Sequence, residues 1–312
     1  MHGLDRRHSV RLVETAIDSG ITHFDTARMY GFGKAESILG CLAPRHRERI
    51  VIATKVGILP ANRSLPSRAL NFGARFLNKG LPGAGKYLTA LQTGPRAGIF
   101  DLPSVRKSFE LSLKQLRTDY VDILLLHECN QADASDEELL EFLESLRAQG
   151  KVRAFGLATS VGEAIQILKF QPRLGDVVQI ASSLWNLNIK RLPFRSSGLA
   201  ITHSALTHRF HELARRLQEN DAMASEWKTI LEIDSRNKTD LARLLLSHAL
   251  YSNPEGIVLF FSGSPENVKR SASFAREGNI DSQQMARLEE LVRRSEPALS
   301  IDGLYRDYLR VS

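Results

Sequence analysis

Cysteine and long apolar runs are both scarce in this sequence. Only two cysteines, Cys41 and Cys129, occur among 312 residues, which argues against a disulfide framework and favours a reducing compartment. No segment approaches the roughly 20 consecutive apolar residues that a membrane-spanning helix needs. The first segment, MHGLDRRHSV, lacks the apolar core of a signal peptide. We therefore expect a cytoplasmic protein without a membrane partner.

Acidic residues are outnumbered by basic ones, which gives a formal net charge of +7 and a pI near 9.5. Such a charge attracts anionic ligands such as phosphates and, in some proteins, nucleic acids. The lysines and arginines are, however, scattered among Glu and Asp, and no basic block is interleaved with aromatic residues. We therefore expect no nucleic-acid partner. The composition is that of a globular protein, since 43% of the residues are hydrophobic and 25% are charged.

What the sequence does contain is a recurring unit of an apolar run, a polar turn and a helix-period segment. The apolar runs are typical of parallel strands covered on both faces: THFDTA (22–27), IVIATKV (50–56), YVDILLLH (120–127), VRAFGLAT (152–159), DVVQIASS (176–183), LAITHSA (199–205) and GIVLFFS (256–262). Helical periodicity predicts helices over 8–19, 104–117, 135–149, 237–250 and 281–294. Ser135 and Glu138 predict a capping box at the start of the third helix. Ser264-Pro265-Glu266 is typical of a further helix start.

Strands that alternate with helices along the whole chain predict an α/β fold, a (β/α)8 TIM barrel in a single domain over 1–312. A doubly wound open sheet is the alternative, but no G-x-G-x-x-G follows a first strand. Only seven strands are found, so we expect a barrel that lacks its first strand at the N-terminus. Either the natural start lies upstream or the barrel is incomplete. Residues 57–103 form a long loop insertion rich in Gly and Pro, which we expect either to contact substrate or to be disordered.

Polar residues stand at the carboxyl ends of several predicted strands, which converge on one mouth in a barrel. Asp25 ends the first run, Tyr30 lies in the turn that follows, Lys55 lies near the end of the second run, and His127 closes the third. Tyr30 alone is compatible with an ordinary rim residue, and His127 alone with a core histidine. A lysine inside an apolar strand, in contrast, needs a partner, and Asp25 is the natural one.

These four residue types together suggest acid–base chemistry on a carbonyl group. Lys55, held charged by Asp25, is expected to lower the pKa of a nearby Tyr30 hydroxyl, which makes Tyr30 a proton donor near neutral pH. A neutral His127 would orient the carbonyl oxygen beside that hydroxyl. No side chain can deliver the hydride, so a nicotinamide cofactor is implied.

The chain resembles the aldo-keto reductase superfamily over about residues 8 to 276. The matching motifs are GITHFDTARMYGFGKAESILG (20–40), IVIATKVG (50–57), LRTDYVDILLLH (116–127), GKVRAFGLATS (150–160) and VVQIASS (177–183). The resemblance implies reduction of an aldehyde or ketone with NADPH, and no metal. It also implies a catalytic tetrad, which by position consists of Asp25, Tyr30, Lys55 and His127.

The same resemblance implies where the cofactor is held. It assigns the nicotinamide carboxamide to Ser160 and Gln179, and the phosphates and ribose to Ser204. The adenosine phosphate would meet a helix N-terminus at Ser262, Gly263 and Ser264. Lys269 or Arg270 would meet a 2′-phosphate, which favours NADPH and leaves NADH possible.

Other interpretations of the same residues remain open. A Schiff-base aldolase would use Lys55 as a nucleophile, although its carboxylate partner argues against this. A catalytically impaired or non-catalytic regulatory protein would keep the fold without turnover, as the missing strand suggests. His203, His208 and His211 match no common zinc spacing. No pattern in the sequence indicates a particular carbonyl substrate or an oligomeric state.

Overall fold

The computed structural model describes residues 5–60, 96–193, 198–277 and 281–295. Each predicted strand is confirmed, with shorter ends than the apolar runs have. The strands are β1 (His23–Asp25), β2 (Val51–Val56), β3 (Val121–His127), β4 (Val152–Ala158), β5 (Val177–Ala181), β6 (Leu199–His203) and β7 (Ile257–Val258). The last is the most shortened, because only two of its residues pair with β6.

The strands form one sheet in which every strand pairs in parallel with its neighbour in the chain, in the order β1 to β7. This order contradicts the doubly wound alternative, whose strand order reverses at a switch point. The sheet curls so that alternate residues face a common interior. That interior is a small apolar cluster: Ala53, Ile123, Leu125, Ala158, Val177 and Ile201.

Helices cover the outer face of the sheet. They are α1 (Arg6–Asp18), α2 (Ala35–Leu39), α3 (Ala43–His46), α4 (Leu102–Leu116), α5 (Gln131–Ala134), α6 (Glu137–Ala148), α7 (Val161–Phe170), α8 (His208–Glu219), α9 (Asp221–Leu231), α10 (Lys238–Ser252), α11 (Pro265–Glu277) and α12 (Ser282–Ser295). The largest buried cluster lies between the early helices and the outward residues of the strands, such as Phe109, Leu124 and Phe155. A second cluster, around Trp227, Leu241 and Leu288, joins α8, α9, α10 and α12.

The capping prediction for α6 was wrong. Ser135 lies at the end of the short helix α5, and the N-cap of α6 is Asp136, whose carboxylate accepts hydrogen bonds from the backbone N–H groups of Glu138 and Leu139. Both Ser and Asp are good N-caps, so sequence spacing alone does not choose between adjacent candidates.

The predicted insertion over 57–103 is only partly within the described residues. Its two ends meet in an antiparallel bridge between Leu59 and Arg96, and α4 begins at Leu102. The intervening residues 61–95 lie outside the described ranges. Among the helices that are described, none combines the length and apolar character needed to cross a bilayer.

A gap separates the two edges of the sheet, β1 and β7, and we call it the seam. Within the described part of the chain no strand fills the seam, so the fold is a (β/α)8 barrel that lacks one strand. Side chains cross the seam instead: Leu12 and Ala16 of α1 pack with Val268 of α11, and Phe24 and Phe260 join the same cluster.

Two hydrogen bonds reinforce the helix contact across the seam. The His8 ring pairs through Nε2 with the carbonyl oxygen of Gly263 at 2.8 Å, and the Arg276 guanidinium donates to the carbonyl oxygen of Ser19 at 2.9 Å. Both bonds join residues more than 250 positions apart in the chain. The layer of helices therefore closes although the layer of strands does not.

A glycine in β4 sets the approach of β5. A Cβ atom added to Gly156 would lie 1.8 Å from the carbonyl oxygen of Val177, whereas one added to Gly162 in the first turn of α7 would meet no atom closer than 4.0 Å. We expect Gly156→Ala to lower the free energy of unfolding by about 1–3 kcal/mol, because the strands must separate to fit the methyl group.

Gly162→Ala is the matched control, and we expect it to raise the free energy of unfolding by about 0.5–1 kcal/mol through helix propensity. Denaturant unfolding followed by circular dichroism measures both variants. Equal stabilities for the two variants would contradict the close approach of β4 and β5.

Candidate active site

A buried ion pair lies at the mouth of the barrel. Asp25 is the last residue of β1 and Lys55 the penultimate residue of β2, and both side chains face the interior. Lys55 Nζ donates to Asp25 Oδ1 at 2.7 Å, to Asp25 Oδ2 at 2.6 Å and to the carbonyl oxygen of Thr26 at 3.1 Å. Lys55 is only 1% exposed. Three acceptor atoms thus replace the water that the ammonium group loses on burial.

Two opposing effects act on the charge of Lys55. Burial lowers its pKa, and this is the largest effect, while the carboxylates of Asp25 and, more weakly, Glu36 raise it. The ammonium form therefore depends on the neighbouring negative charges.

Tyr30 lies over the ion pair. It begins a short 3-10 turn, Tyr30–Gly33, in which Gly31 and Gly33 both adopt the positive φ angles that glycine tolerates. Lys55 Nζ lies 4.8 Å from the centroid of the Tyr30 ring. The Tyr30 and His127 rings meet edge to face, with centroids 6.0 Å apart. The structure thus brings together the four residues that the sequence singled out.

His127 closes β3 and is 8% exposed. Its pKa lies well below the usual 6.5, first because the ring is buried and then because Lys55 and His203 lie near it. The imidazole is therefore neutral at pH 7 and keeps one N–H donor and one lone pair.

His203 also lies among these residues at the barrel mouth, although we did not assign it to the site from the sequence. It ends β6 on the interior face, and its Nδ1 lies 2.8 Å from Ser204 Oγ. Burial lowers its pKa to about 4; more weakly, Asp25 raises the pKa and Lys55 lowers it further. The alternation of LAITHSA would have identified it, since Leu199, Ile201 and His203 share one face.

The interior face also carries an unpartnered polar atom. Gln179 of β5 is 5% exposed, and within the described residues its Oε1 has no hydrogen-bond donor. A buried acceptor without a donor is unfavourable unless a ligand supplies one. Ser160, after β4, caps α7 by accepting from the N–H of Glu163 at 3.2 Å. Ser204, after β6, has a φ of 76°, a rare conformation for a residue other than glycine.

The segment that follows β7 forms a compact turn at the start of α11. Ser262 Oγ accepts from the N–H of Ser264 at 3.1 Å and donates to the carbonyl oxygen of the same residue. Gly263 lies between them and is held through its carbonyl by α1. Lys269 and Arg270 are exposed on α11. α11 spans 13 residues, and the N-terminus of a helix of this length suits a phosphate group.

The described residues give no support for a metal site, and the environment of Cys129 does not suit a nucleophile. No group of three or more His, Cys, Asp or Glu side chains with metal-binding geometry occurs in the described ranges. Burial raises the pKa of the Cys129 thiol to about 12, so this thiol is protonated and unreactive at neutral pH.

Loss of the Asp25 charge should destabilise the folded chain. We expect Asp25→Asn to lower the free energy of unfolding at pH 7 by about 3–5 kcal/mol, because the Lys55 charge stays buried without its partner. Burial holds the pKa of Lys55 below its usual 10.5, so the unfolded chain binds the proton more tightly and stability rises with pH toward that value. Loss of the Asp25 charge lowers the pKa of Lys55 further, so the stability of the variant rises with pH over a wider range than that of the wild type, and the deficit of the variant should narrow as the pH approaches 10.

Urea unfolding of the variant and the wild type between pH 7 and 10 measures this deficit. The exposed Asp18→Asn is the control and should change stability by less than about 0.5 kcal/mol. A deficit that stays constant over this pH range would contradict the assigned role of Lys55.

Curated relatives match parts of the chain. A pyridoxal 4-dehydrogenase from Microbacterium luteolum is 29% identical over 185 residues, which is 52% of this chain and 49% of the relative. A 6-dehydroglucose reductase from Agrobacterium fabrum is 33% identical over 156 residues, 48% of this chain and 43% of the relative. The aligned stretches thus span about half or less of these relatives.

Solved structures share the fold over more of the chain. An aldo-keto reductase from Klebsiella pneumoniae in complex with NADPH superimposes with a TM-score of 0.65 at 23% identity, and covers 93% of this chain and 86% of its own. A glycerol dehydrogenase from Gluconobacter oxydans gives a TM-score of 0.69 at 19% identity, over 96% and 90% of the two chains. The model of the Aldo/keto reductase family matches residues 2–293, and the chain therefore belongs to this family.

Proposed function

We propose that this protein is an NADPH-dependent oxidoreductase that reduces an aldehyde or a ketone to an alcohol. The observation that carries the proposal is the Asp25–Lys55 ion pair, which lies beneath the Tyr30 ring in a chain of the aldo/keto reductase family. The substrate class is a small carbonyl compound.

Tyr30 is the proposed proton donor. Its hydroxyl gives a proton to the carbonyl oxygen as that oxygen gains negative charge, and the Lys55 ammonium stabilises the phenolate that remains. Asp25 keeps this ammonium charged and oriented. Solvent then returns the proton to Tyr30, so the residue is unchanged after each turnover.

His127 is the proposed orienting group for the carbonyl. A neutral imidazole can donate its N–H to the carbonyl oxygen without competing with Tyr30 as an acid. Because burial keeps the pKa of His127 well below 6.5, the rate at neutral pH should carry no titration from this residue.

Several residues present polar groups that fit a nicotinamide dinucleotide. The unpartnered Oε1 of Gln179 and the hydroxyl of Ser160 suit the carboxamide, and Ser204 suits the ribose and phosphates. The turn of Ser262, Gly263 and Ser264 at the start of α11 suits the adenosine phosphate, with Lys269 or Arg270 near a 2′-phosphate. When bound, this cofactor supplies the hydride that adds to the carbonyl carbon. The Klebsiella relative was crystallised with NADPH, which supports this choice over NADH.

Two rival functions have specific tests. A Schiff-base aldolase needs a neutral Lys55, whereas the side chain donates to three acceptors here. Borohydride trapping of a carbonyl compound on Lys55 would favour that enzyme. The open seam favours a non-catalytic regulatory protein, and failure to bind NADPH in a fluorescence titration would support it.

Loss of the Tyr30 hydroxyl should abolish turnover. We expect Tyr30→Phe to lower kcat for reduction of nitrobenzaldehyde by about 10²–10⁴-fold, because the proton donor is lost while the ring stays in place. The dissociation constant of NADPH, measured by fluorescence quenching, should stay within about twofold. Tyr251→Phe, at a tyrosine that is 42% exposed, serves as the control and should leave kcat unchanged. Wild-type turnover in the Tyr30 variant would refute the mechanism.

The charge on α11 should discriminate between the two nicotinamide cofactors. We expect Arg270→Ala to weaken NADPH binding by about tenfold and to leave NADH binding unchanged, because only NADPH carries the 2′-phosphate. Lys269→Ala tests the neighbouring candidate in the same way, and Lys107→Ala on the exposed face of α4 is the control. If neither α11 variant changes the ratio of the two affinities, the assignment of the phosphate to α11 is wrong.

A further inference from the structure

A second buried ion pair adjoins the proposed catalytic residues, and the mechanism above does not use it. Glu36 of α2 is 1% exposed, and its Oε2 accepts from Arg28 Nη1 at 3.1 Å. Its other oxygen, Oε1, accepts from Thr54 Oγ1 at 2.7 Å. Arg28 is 8% exposed and Thr54 is fully buried. One carboxylate thus holds two partners from different parts of the chain.

These two partners lie beside the residues that matter for the chemistry. Arg28 and Glu36 flank Tyr30 in the chain, so their ion pair closes the loop that carries the tyrosine. Thr54 immediately precedes Lys55 on β2. The Glu36 carboxylate therefore ties the loop that carries Tyr30 to the strand that carries Lys55.

We propose that Glu36 is a positioning residue, which fixes the Tyr30 loop against β2 so that the hydroxyl and the Lys55 ammonium keep a reactive geometry. The inference rests on the proposed reductase function. Its physical basis is that proton transfer demands placement within a fraction of an ångström, and a displacement of about 1 Å can reduce the rate roughly 10²-fold.

Glu36 also acts on Lys55 through its charge. It is one of the carboxylates that raise the pKa of Lys55 against the effect of burial. Neutralising Glu36 removes this support, so the pKa of Lys55 falls and the ammonium loses its proton at a lower pH. A group that merely stabilised the fold would not produce such a shift.

The substitution Glu36→Gln tests the proposal, because it keeps the shape and the acceptor for Thr54 but removes the negative charge that pairs with Arg28 and closes the Tyr30 loop. We expect kcat for nitrobenzaldehyde to fall about 10–100-fold, with an NADPH dissociation constant within about twofold of the wild type. The alkaline limb of the kcat profile, where Lys55 loses its proton, should move to lower pH. The matched control is Glu110→Gln, at an exposed glutamate of α4, which should change neither quantity.

A lower melting temperature with wild-type kcat and an unmoved alkaline limb would overturn the proposal. If Glu36→Gln does not fold, Thr54→Val tests the proposal instead, because it removes the hydroxyl that donates to Glu36 and preserves the side-chain volume. A fall in kcat of about 3–10-fold at unchanged NADPH affinity supports the link to β2, and an unchanged kcat overturns it.

A readout independent of turnover separates this inference from the proposed function. The 13Cε chemical shift of Lys55 in protein labelled with 13C-lysine, followed by NMR over a range of pH, reports the protonation of the buried amine directly. We expect the midpoint to move to lower pH in Glu36→Gln and to stay in place in Glu110→Gln. If the wild-type protein shows no turnover, the reductase function alone is overturned. If the pH midpoint of Lys55 is the same in Glu36→Gln as in the wild type, the electrostatic role of Glu36 is overturned.

Discussion

The buried ammonium of Lys55 is the constraint on which the barrel mouth depends. A cation that is 1% exposed must have its lost hydration replaced by the protein. The acceptors come from the end of β1 and from the first residue of the loop after it, so burying one side chain on β2 fixes the course of the neighbouring segment. The Tyr30 ring then packs over the ion pair. Satisfying the charge and assembling the site are therefore one structural requirement.

The two histidines of the mouth complement this arrangement. Burial leaves both His127 and His203 neutral near pH 7, so in this group of residues the positive charge is carried by Lys55. In the proposed mechanism, Lys55 then acts on the Tyr30 hydroxyl without a second positive charge among these residues. The rings can still form hydrogen bonds without adding a second charge, which would be expensive to bury.

Sequence reasoning succeeded where the physics is local. Continuous apolar runs predicted all seven strands, and the impossibility of an unpaired lysine in a strand predicted the Asp25–Lys55 pair. One local prediction failed: Asp136 and not Ser135 is the N-cap of α6, because the two residues are adjacent and both suit that position. Contacts between distant segments were not predicted. The link from Glu36 to Thr54 spans two elements, and no periodicity predicts it. His203 was recoverable from strand alternation, but its approach to Lys55 needed the curl of the sheet.

The seam leaves the layer of strands open between β1 and β7, while α1 and α11 pack together outside the opening. The end of β1 carries Asp25, and the turn after β7 carries the residues proposed to hold phosphate, so the two proposed parts of the site lie on opposite sides of the seam. Across the seam no strand pairing holds β1 to β7; the contact of α1 with α11 and the two hydrogen bonds of His8 and Arg276 join the two sides. A ligand that contacts residues on both sides of the seam would add a link between the two edges of the sheet, so its binding would stabilise the folded chain.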